Sequence, residues 1–190
     1  MEIIAETGIM MKIIGISGSL RKASYNTALL RTLISLQSQG MEIEPIRLNG
    51  IPVYDGDDEK ATGKPKAILD LDQKIRASDG VIIVTPEYNF SIPGGLKNAI
   101  DWLSRGISPL KWKRVGIMGA SDGPIGTARS QYQLRQTLQS QESIVMPRPE
   151  IFVSTAREKF DAEGNLTDAA TLERVKKWLK AFADWVEKKP

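Results

Sequence analysis

Polar residues able to bind an anion follow an apolar segment near the N-terminus, in the sequence SGSLRKASYN at positions 17–26. Ser19, Ser24 and Asn26 offer side-chain donors, and Arg21 offers a guanidinium that pairs with anions. A helical pattern begins directly afterwards, and a helix start adds unpaired N–H groups and partial positive charge. We predict that this segment binds a phosphate, although it matches neither the P-loop nor the dinucleotide-binding motif. The alternative is a polar turn in which Ser24 or Asn26 only caps the helix.

Two later loops offer surfaces for a flat heteroaromatic ring. The sequence TPEYNFSIPGG at 85–95 follows the most apolar run of the chain and supplies two aromatic side chains, Tyr88 and Phe90, with main-chain donors and acceptors. The sequence GASDGPIGTA at 119–128 leaves an open loop around Ser121 for a second wall. The alternatives are a turn whose aromatic residues pack on the core and, for the GT pair, the start of the next helix.

The composition of the 190-residue chain restricts the chemistry of any such site. The chain has no cysteine, which excludes disulfides, thiolate catalysis and Cys-bound metals. It has no histidine either, which excludes Ser-His-Asp hydrolysis and His-ligated zinc. The chemistry must therefore come from a bound cofactor, from carboxylates or from backbone donors.

Charge and hydropathy restrict the partners. The net charge is +3, but the basic residues are scattered, and the C-terminal lysines between 176 and 189 are typical of a solvated helix face rather than a nucleic-acid site. No apolar run reaches the ~18 residues that a membrane span needs. Residues 1–10 lack a basic segment and a cleavage site, so we expect no secretory signal and a cytoplasmic protein.

Apolar strands alternate with amphipathic helices along the chain. We predict strands at 12–17, 41–48, 81–87, 113–121 and 143–154 and helices at 26–40, 64–80, 94–105, 126–141 and 167–188. This alternation predicts an α/β fold, a three-layer αβα sandwich around a five-stranded parallel sheet. The flavodoxin-like strand order 2-1-3-4-5 is the natural candidate, since it brings the three loops together near the switch point. We expect residues 1–10 to form an extension and residues 11–190 a single domain.

Two groups of charged residues have simpler interpretations than a site. Asp55, Asp57 and Asp58 lack the spacing of a metal-binding loop, so we predict a solvated loop and no metal there. Asp101 follows Lys97 by one helical turn, which predicts an ion pair between them.

Three segments of the sequence resemble one known family. They are GSLRKASYN at 18–26, PEYNFSIPGGLKNAIDW at 86–102 and GASDGPIGTARSQYQLRQTL at 119–138. The chain is similar to the NADPH-dependent FMN reductases, and within them to the bacterial chromate and quinone reductases, which are related to azoreductases. The resemblance implies a flavodoxin-like fold and bound FMN, with NADPH or NADH as hydride donor. It implies quinones, azo compounds, free flavins or metal oxyanions such as chromate as acceptors, and no catalytic side chain.

The resemblance also implies which residues bind FMN. The phosphate loop comprises Ser19, Leu20, Arg21, Lys22, Ala23, Ser24, Tyr25 and Asn26, and the ring loops comprise Pro86, Glu87, Tyr88, Asn89, Phe90, Ser121, Asp122 and Gly123. Two positions depart from the family pattern. Ala23 stands where glycine is common, and Phe90 stands where tyrosine is common.

Members of this family are usually dimers or tetramers, so the resemblance implies a homodimer or homotetramer. Arg129, Tyr132, Arg135 and Glu150 are candidates for a hydrogen-bond network at the interface. A solvated helix face explains the first three of these equally well.

Two other functions stay open. A flavodoxin-type electron carrier binds FMN without oxidising NADPH itself, but such carriers are typically strongly acidic and this chain is basic. A nucleotide-binding regulatory module without redox activity is the second alternative.

Overall fold

Short apolar segments with few polar residues form the centre of a parallel sheet. The computed structural model describes residues 10–188. Its strands are β1 (Met11–Ser17), β2 (Met41–Arg47), β3 (Gly80–Val84), β4 (Arg114–Ala120), β5 (Ile144–Val145) and β6 (Ile151–Val153). Every residue of β3 is buried, as expected for a central parallel strand covered on both faces.

The strands are parallel and follow the order β2-β1-β3-β4-β5, with β6 also paired to β4. The helices are α1 (Tyr25–Leu36), α2 (Gly56–Thr62), α3 (Lys66–Ala77), α4 (Gly94–Leu103), α5 (Ala128–Gln139) and α6 (Ala169–Glu187). One apolar core joins α1 and α6 to one face of the sheet, and a second core joins α3, α4 and α5 to the other. The predicted flavodoxin-like sandwich and strand order are confirmed.

The sequence predicts a final strand over 143–154 that two prolines interrupt, and the structure divides this segment into two separate short strands. β5 pairs with β4 at Arg114 and β6 pairs with β4 from Met118 onward, so the sheet has six strands rather than five. Pro147 and Pro149 lie between the two strands and have no N–H to donate to a neighbouring strand.

Asp55, Asp57 and Asp58 are exposed to solvent, as predicted, but the prediction of a loop there is wrong, because the segment forms a helix. Asp55 precedes α2, and its Oδ1 accepts a hydrogen bond of 2.8 Å from the Asp57 amide. Carboxylates are favourable at a helix start, which explains why an acidic segment without buried residues forms this helix. Among residues 10–188, no group of three or more acidic side chains is arranged to hold a metal ion.

The structure also tests the predicted ion pair and the predicted end of the first helix. Lys97 and Asp101 form the predicted ion pair, with 2.6 Å between Nζ and Oδ1. The first helix ends at Leu36 rather than at Gly40. Residues 1–9 of the predicted extension lie outside the described residues, and no helix within 10–188 is long and apolar enough to cross a membrane.

Candidate functional site

Three loops meet at one edge of the sheet because β1, β3 and β4 are adjacent and parallel. They surround a cleft of about 180 Å³. Its lining consists of Ser19, Arg21, Ser24, Tyr25, Asn26, Pro86, Glu87, Tyr88, Ala120, Ser121 and Asp122. The sequence-predicted residues that do not line this cleft are Leu20, Lys22, Ala23, Asn89, Phe90 and Gly123. The cleft therefore joins residues from all three predicted loops.

The first loop ends at a capped helix start. The Ser24 hydroxyl accepts a 3.2 Å hydrogen bond from the Asn26 amide, so Ser24 is the N-cap of α1. A capped helix start still leaves further amides for an anion, so the cap and a phosphate site are compatible. Arg21 is exposed at the rim, and its Nη2 donates to the Ala23 carbonyl at 3.3 Å. Ala23 does not have a positive φ, so the absence of glycine there causes no backbone strain.

Asn26 connects the first loop to the end of β4. Its Nδ2 donates to the Ala120 carbonyl, and its Oδ1 accepts from the Ala120 amide, both at 2.9 Å. The side chain is buried. Asn26 therefore fixes the distance between two walls of the cleft, a role that the sequence did not reveal.

The second loop contains a tight hairpin turn. Tyr88 and Ser91 exchange backbone hydrogen bonds of 3.0 and 2.9 Å, and the two residues between them have positive φ: 51° at Asn89 and 64° at Phe90. Two consecutive positive φ values are typical of a type I′ turn. Phenylalanine is unusual in this conformation, and such strain persists only where the surroundings enforce it.

The first turns of α5 supply that support. The guanidinium carbon of Arg129 lies 3.9 Å from the centre of the Phe90 ring, and Gln133 Nε2 donates to the Phe90 carbonyl at 3.0 Å. The Phe90 ring remains 64% exposed. A stacked cation and a backbone hydrogen bond thus hold the tip of the hairpin against the helix.

Glu87 binds to the start of α5. Its carboxylate accepts a 3.2 Å hydrogen bond from the Ser130 amide and lies 3.8 Å from Arg129 Nη1. The N-cap residue Thr127 makes no side-chain capping bond, so Glu87 replaces it as the cap. Its carboxylate therefore connects the second loop to α5.

Two hydroxyls that the sequence analysis missed fix the Pro86 carbonyl. Thr85 Oγ1 and Ser130 Oγ each donate to that oxygen at 2.9 Å. Both residues are completely buried. A hydroxyl at a strand end or inside a helix carries no distinctive sequence signal, so only the fold reveals this pair.

The third loop is fixed by a short 3₁₀ turn at Ala156–Glu158. Asp122 Oδ1 accepts a 2.7 Å hydrogen bond from the backbone amide of Arg157. The backbone carbonyl of Ser121 accepts a 3.1 Å hydrogen bond from the backbone amide of Ala156. The Asp122 carboxylate thus stabilises this turn, while the Ser121 side chain lines the cleft.

The four predicted interface residues are only partly brought together. Arg135 Nη2 lies 3.6 Å from Glu150 Oε1, and its Nη1 donates to the Met146 carbonyl at 3.0 Å. Arg129 pairs with Glu87 instead. Tyr132, between them on α5, is 53% exposed.

Comparisons with known proteins agree with this geometry. A family model for NADPH-dependent FMN reductase matches residues 11–158. The NAD(P)H-dependent FMN reductase PA1204 of Pseudomonas aeruginosa is 45% identical over 179 residues, covering 94% of this chain and 96% of that protein. The quinone reductase of Escherichia coli is 42% identical over 181 residues, with 94% and 96% covered. The structure of FerB, a flavoenzyme NAD(P)H:(acceptor) oxidoreductase from Paracoccus denitrificans, matches with a TM-score of 0.84 and 34% identity, covering 93% of this chain and 97% of FerB. This chain belongs to the NADPH-dependent FMN reductase family.

Proposed function

We propose that the protein binds FMN in the three-loop cleft and oxidises NAD(P)H to reduce quinones. The observation that carries the proposal is that the start of α1, the loop after β3 and the loop after β4 line one cleft. When bound, FMN supplies the redox chemistry, accepting a hydride from the nicotinamide and passing two electrons to the acceptor. This suits a chain that has neither histidine nor cysteine.

The residues of the first loop fit the phosphate of FMN. Ser19 and Ser24 supply hydroxyls in the cleft, and Arg21 supplies a cation at its rim. The start of α1 adds backbone amides and the positive end of the helix dipole. Together these donors match a dianion better than a neutral ligand.

The other two loops fit the ring, with the backbone from Pro86 to Phe90 on one side and Ser121 on the other. The cleft of about 180 Å³ is smaller than the roughly 300–1,000 Å³ of most small-molecule sites, so it encloses only part of the cofactor. An open ring face leaves room for the nicotinamide and for flat acceptors. We propose quinones as the main acceptors, as the name of the Escherichia coli relative suggests, and azo compounds, free flavins and chromate as further ones.

The absorption spectrum of the purified protein tests the cofactor, because bound FMN gives a yellow band. Anaerobic mixing with NADPH then tests the activity. We expect the band to bleach and to return when a quinone is added. A flavin band that NADPH leaves unchanged indicates an electron carrier, and a colourless protein that FMN does not reconstitute indicates a regulatory module.

Replacing Arg21 with alanine should weaken FMN binding by roughly ten- to a hundredfold, the usual cost of losing a hydrogen bond to a charged group. Titration of the flavin-free protein with FMN measures this affinity. Arg174→Ala on α6 removes an equally exposed arginine away from the cleft and should leave the affinity unchanged. Full flavin occupancy in Arg21→Ala argues against the phosphate assignment.

We also propose that the protein forms a homodimer or homotetramer through the exposed side of α5. Tyr132 at 53% exposure and Phe90 at 64% exposure, beside Arg129, give this surface aromatic and cationic groups typical of interface cores. Arg135 lies on the same helix, and its ion-pair partner Glu150 directly precedes β6. No nucleic-acid partner is proposed.

Tyr132→Phe should raise the dissociation constant of the oligomer by roughly two- to tenfold, because one interface hydroxyl loses its hydrogen bond. Light scattering at several protein concentrations measures the mass of both proteins. An unchanged dissociation profile excludes an interface role for this hydroxyl.

The proposed location is the cytoplasm, since the chain has no cysteine for the disulfides of oxidising compartments. On α6, Lys176 pairs with Glu173 at 2.7 Å and Lys180 with Asp184 at 3.1 Å. Internal pairing of these cations supports a solvated helix face rather than a nucleic-acid site.

A further inference from the structure

A second, larger cavity adjoins the cleft on the α6 side of the phosphate loop. It has a volume of about 560 Å³, within the roughly 300–1,000 Å³ of small-molecule sites. It is lined by Arg21, Lys22, Ala23, Ser24, Tyr25, Ala28, Arg31, Asp161, Ala162, Glu163 and Gly164. Arg21, Ser24 and Tyr25 also line the cleft, so the two cavities are neighbours on either side of these residues at the start of α1. We call the second cavity the α1 groove.

One wall of the α1 groove is built around Arg31. Its Nη2 donates to the Glu163 and Gly164 carbonyls at 3.3 and 3.2 Å. Gly164 has a φ of +80°, and a Cβ there would lie 2.7 Å from Arg31 Nη2. The positive φ favours glycine at this position, and its lack of a side chain leaves room for the guanidinium beside the backbone. Only Nη2 makes these two bonds, so the other guanidinium nitrogens can donate to a ligand.

In the α1 groove, the Asp161 carboxylate is hydrogen-bonded within the protein, whereas the cations of Lys22 and Arg31 have no carboxylate partner in the part of the chain that the structure describes. Asp161 accepts hydrogen bonds from the Asn165 amide at 2.7 Å and from Asn165 Nδ2 at 2.9 Å. Both bonds lower the pKa of the Asp161 carboxyl below its usual range, and the bond from the Asn165 backbone amide has the larger effect. Within residues 10–188, Lys22 and Arg31 have no carboxylate within 4.0 Å. Besides Arg21, which also lines the cleft, the groove therefore offers two further cations, Lys22 and Arg31, for a phosphate, and the carboxylate of Glu163 as an acceptor for neutral hydroxyls.

A phosphate ester that also carries a ribose matches this mixture better than a bare anion. Lys22 and Arg31 suit the phosphate, and the carboxylate of Glu163 suits the ribose hydroxyls. In FAD, an adenylate of this composition is attached directly to the phosphate that FMN carries. Because the predicted phosphate loop lines both cavities, a ligand whose phosphate lies there can extend from the cleft into the groove.

We propose that the α1 groove receives the adenylate half of FAD, so that the protein binds FAD as well as FMN. This inference rests on the proposed flavin site in the cleft. It makes the groove a cofactor subsite separate from the open ring face that the nicotinamide and the acceptor use.

Calorimetric titration of the flavin-free protein with FMN and with FAD tests the proposal. Ala162 is exposed and lines the groove, so Ala162→Trp should fill it without disturbing the core, and Ala162→Ser is the matched control. We expect wild-type affinity for FAD to lie within about thirtyfold of that for FMN. Ala162→Trp should weaken FAD at least about tenfold and change FMN by less than about threefold, while Ala162→Ser changes neither.

A second variant separates charge from volume. Arg31→Met keeps the unbranched apolar stem of the side chain but removes the cation, and it should weaken FAD by about threefold or more without changing FMN. FAD binding more than about thirtyfold weaker than FMN, or FAD affinity unaffected by Ala162→Trp, overturns the inference. So does an Ala162→Trp protein that loses affinity for NADPH rather than for FAD. If neither flavin binds to the wild type, the proposed function itself fails.

Discussion

Asn26→Ala should lower the free energy of unfolding by roughly 2–6 kcal/mol, because it leaves two buried backbone groups of Ala120 unsatisfied at about 1–3 kcal/mol each. The side-chain amide of Asn26 makes both hydrogen bonds, each 2.9 Å long, and an alanine side chain can make neither. Both residues are almost inaccessible to solvent in the folded protein, so the two groups of Ala120 depend on the Asn26 side chain for these bonds. The substitution also frees the start of α1 from the end of β4, so FMN should bind less tightly.

Urea unfolding of the flavin-free proteins measures the effect. Asn26→Asp keeps the acceptor for the Ala120 amide and loses the donor to its carbonyl, so it gives a second measurement if the alanine variant does not fold. Asn49→Ala is the control, because Asn49 is exposed and makes a single 3.3 Å bond to the Leu20 carbonyl. Equal losses in Asn26→Ala and Asn49→Ala contradict the proposed connection.

The layout of the site could be predicted from the sequence because it depends on topology. A short apolar run such as that at 81–84 is typical of a central strand, and parallel neighbours end at the same edge of the sheet. The segments that follow β1, β3 and β4 therefore lie at the same edge, and the flavodoxin-like strand order brings them together. The residue types at those ends, small residues then donors or aromatics, were enough to indicate a phosphate and a ring.

The partners of individual side chains could not be predicted. Asn26, Glu87 and Asp122 have the right chemistry to contact a ligand, yet each binds backbone amides of another segment: those of Ala120, Ser130 and Arg157. A sequence shows that a group can donate or accept but not which segment lies beside it. Conversely, Thr85 and Ser130 look ordinary in the sequence, yet their hydroxyls hold the Pro86 carbonyl.

Local conformations that depend on tertiary contacts were missed for the same reason. The hairpin tip at Asn89 and Phe90 has two positive φ values, whereas the usual sequence signal for such a turn is Asn-Gly or Asp-Gly. Arg129 and Gln133 on α5 stabilise it from outside the loop. No pattern within the loop indicates that support.

Gly119→Ala should destabilise the protein by about 3 kcal/mol or more, through overpacking at the centre of the site. A Cβ at this position would lie 2.2 Å from the Thr85 carbonyl oxygen and 2.2 Å from Thr127 Oγ1. Thr85 begins the second loop, and its amide is bound to the Met118 carbonyl at 2.9 Å, so it cannot move without pulling on β4. Thr127 precedes α5 and is completely buried. The clash therefore displaces two walls of the cleft, and flavin binding should weaken together with stability.

Thermal and urea unfolding measure the loss, with Gly94→Ala as the matched control. Nothing lies within 4 Å of a Cβ at Gly94, the first residue of α4, so this change should be neutral or stabilising by about 0.4–1 kcal/mol. The double variant Gly119→Ala with Thr127→Gly then separates the two contacts. It removes the hydroxyl but leaves the Thr85 carbonyl oxygen in place, so Gly119→Ala should cost less in the Thr127→Gly background than in the wild type but should still destabilise the protein. The Thr127→Gly single variant is the reference, because Thr127 has a φ of 71° and glycine alone changes stability there. Complete recovery means that the side-chain contact alone requires glycine, and that the second loop is not held against β4 as tightly as the 2.2 Å contact implies.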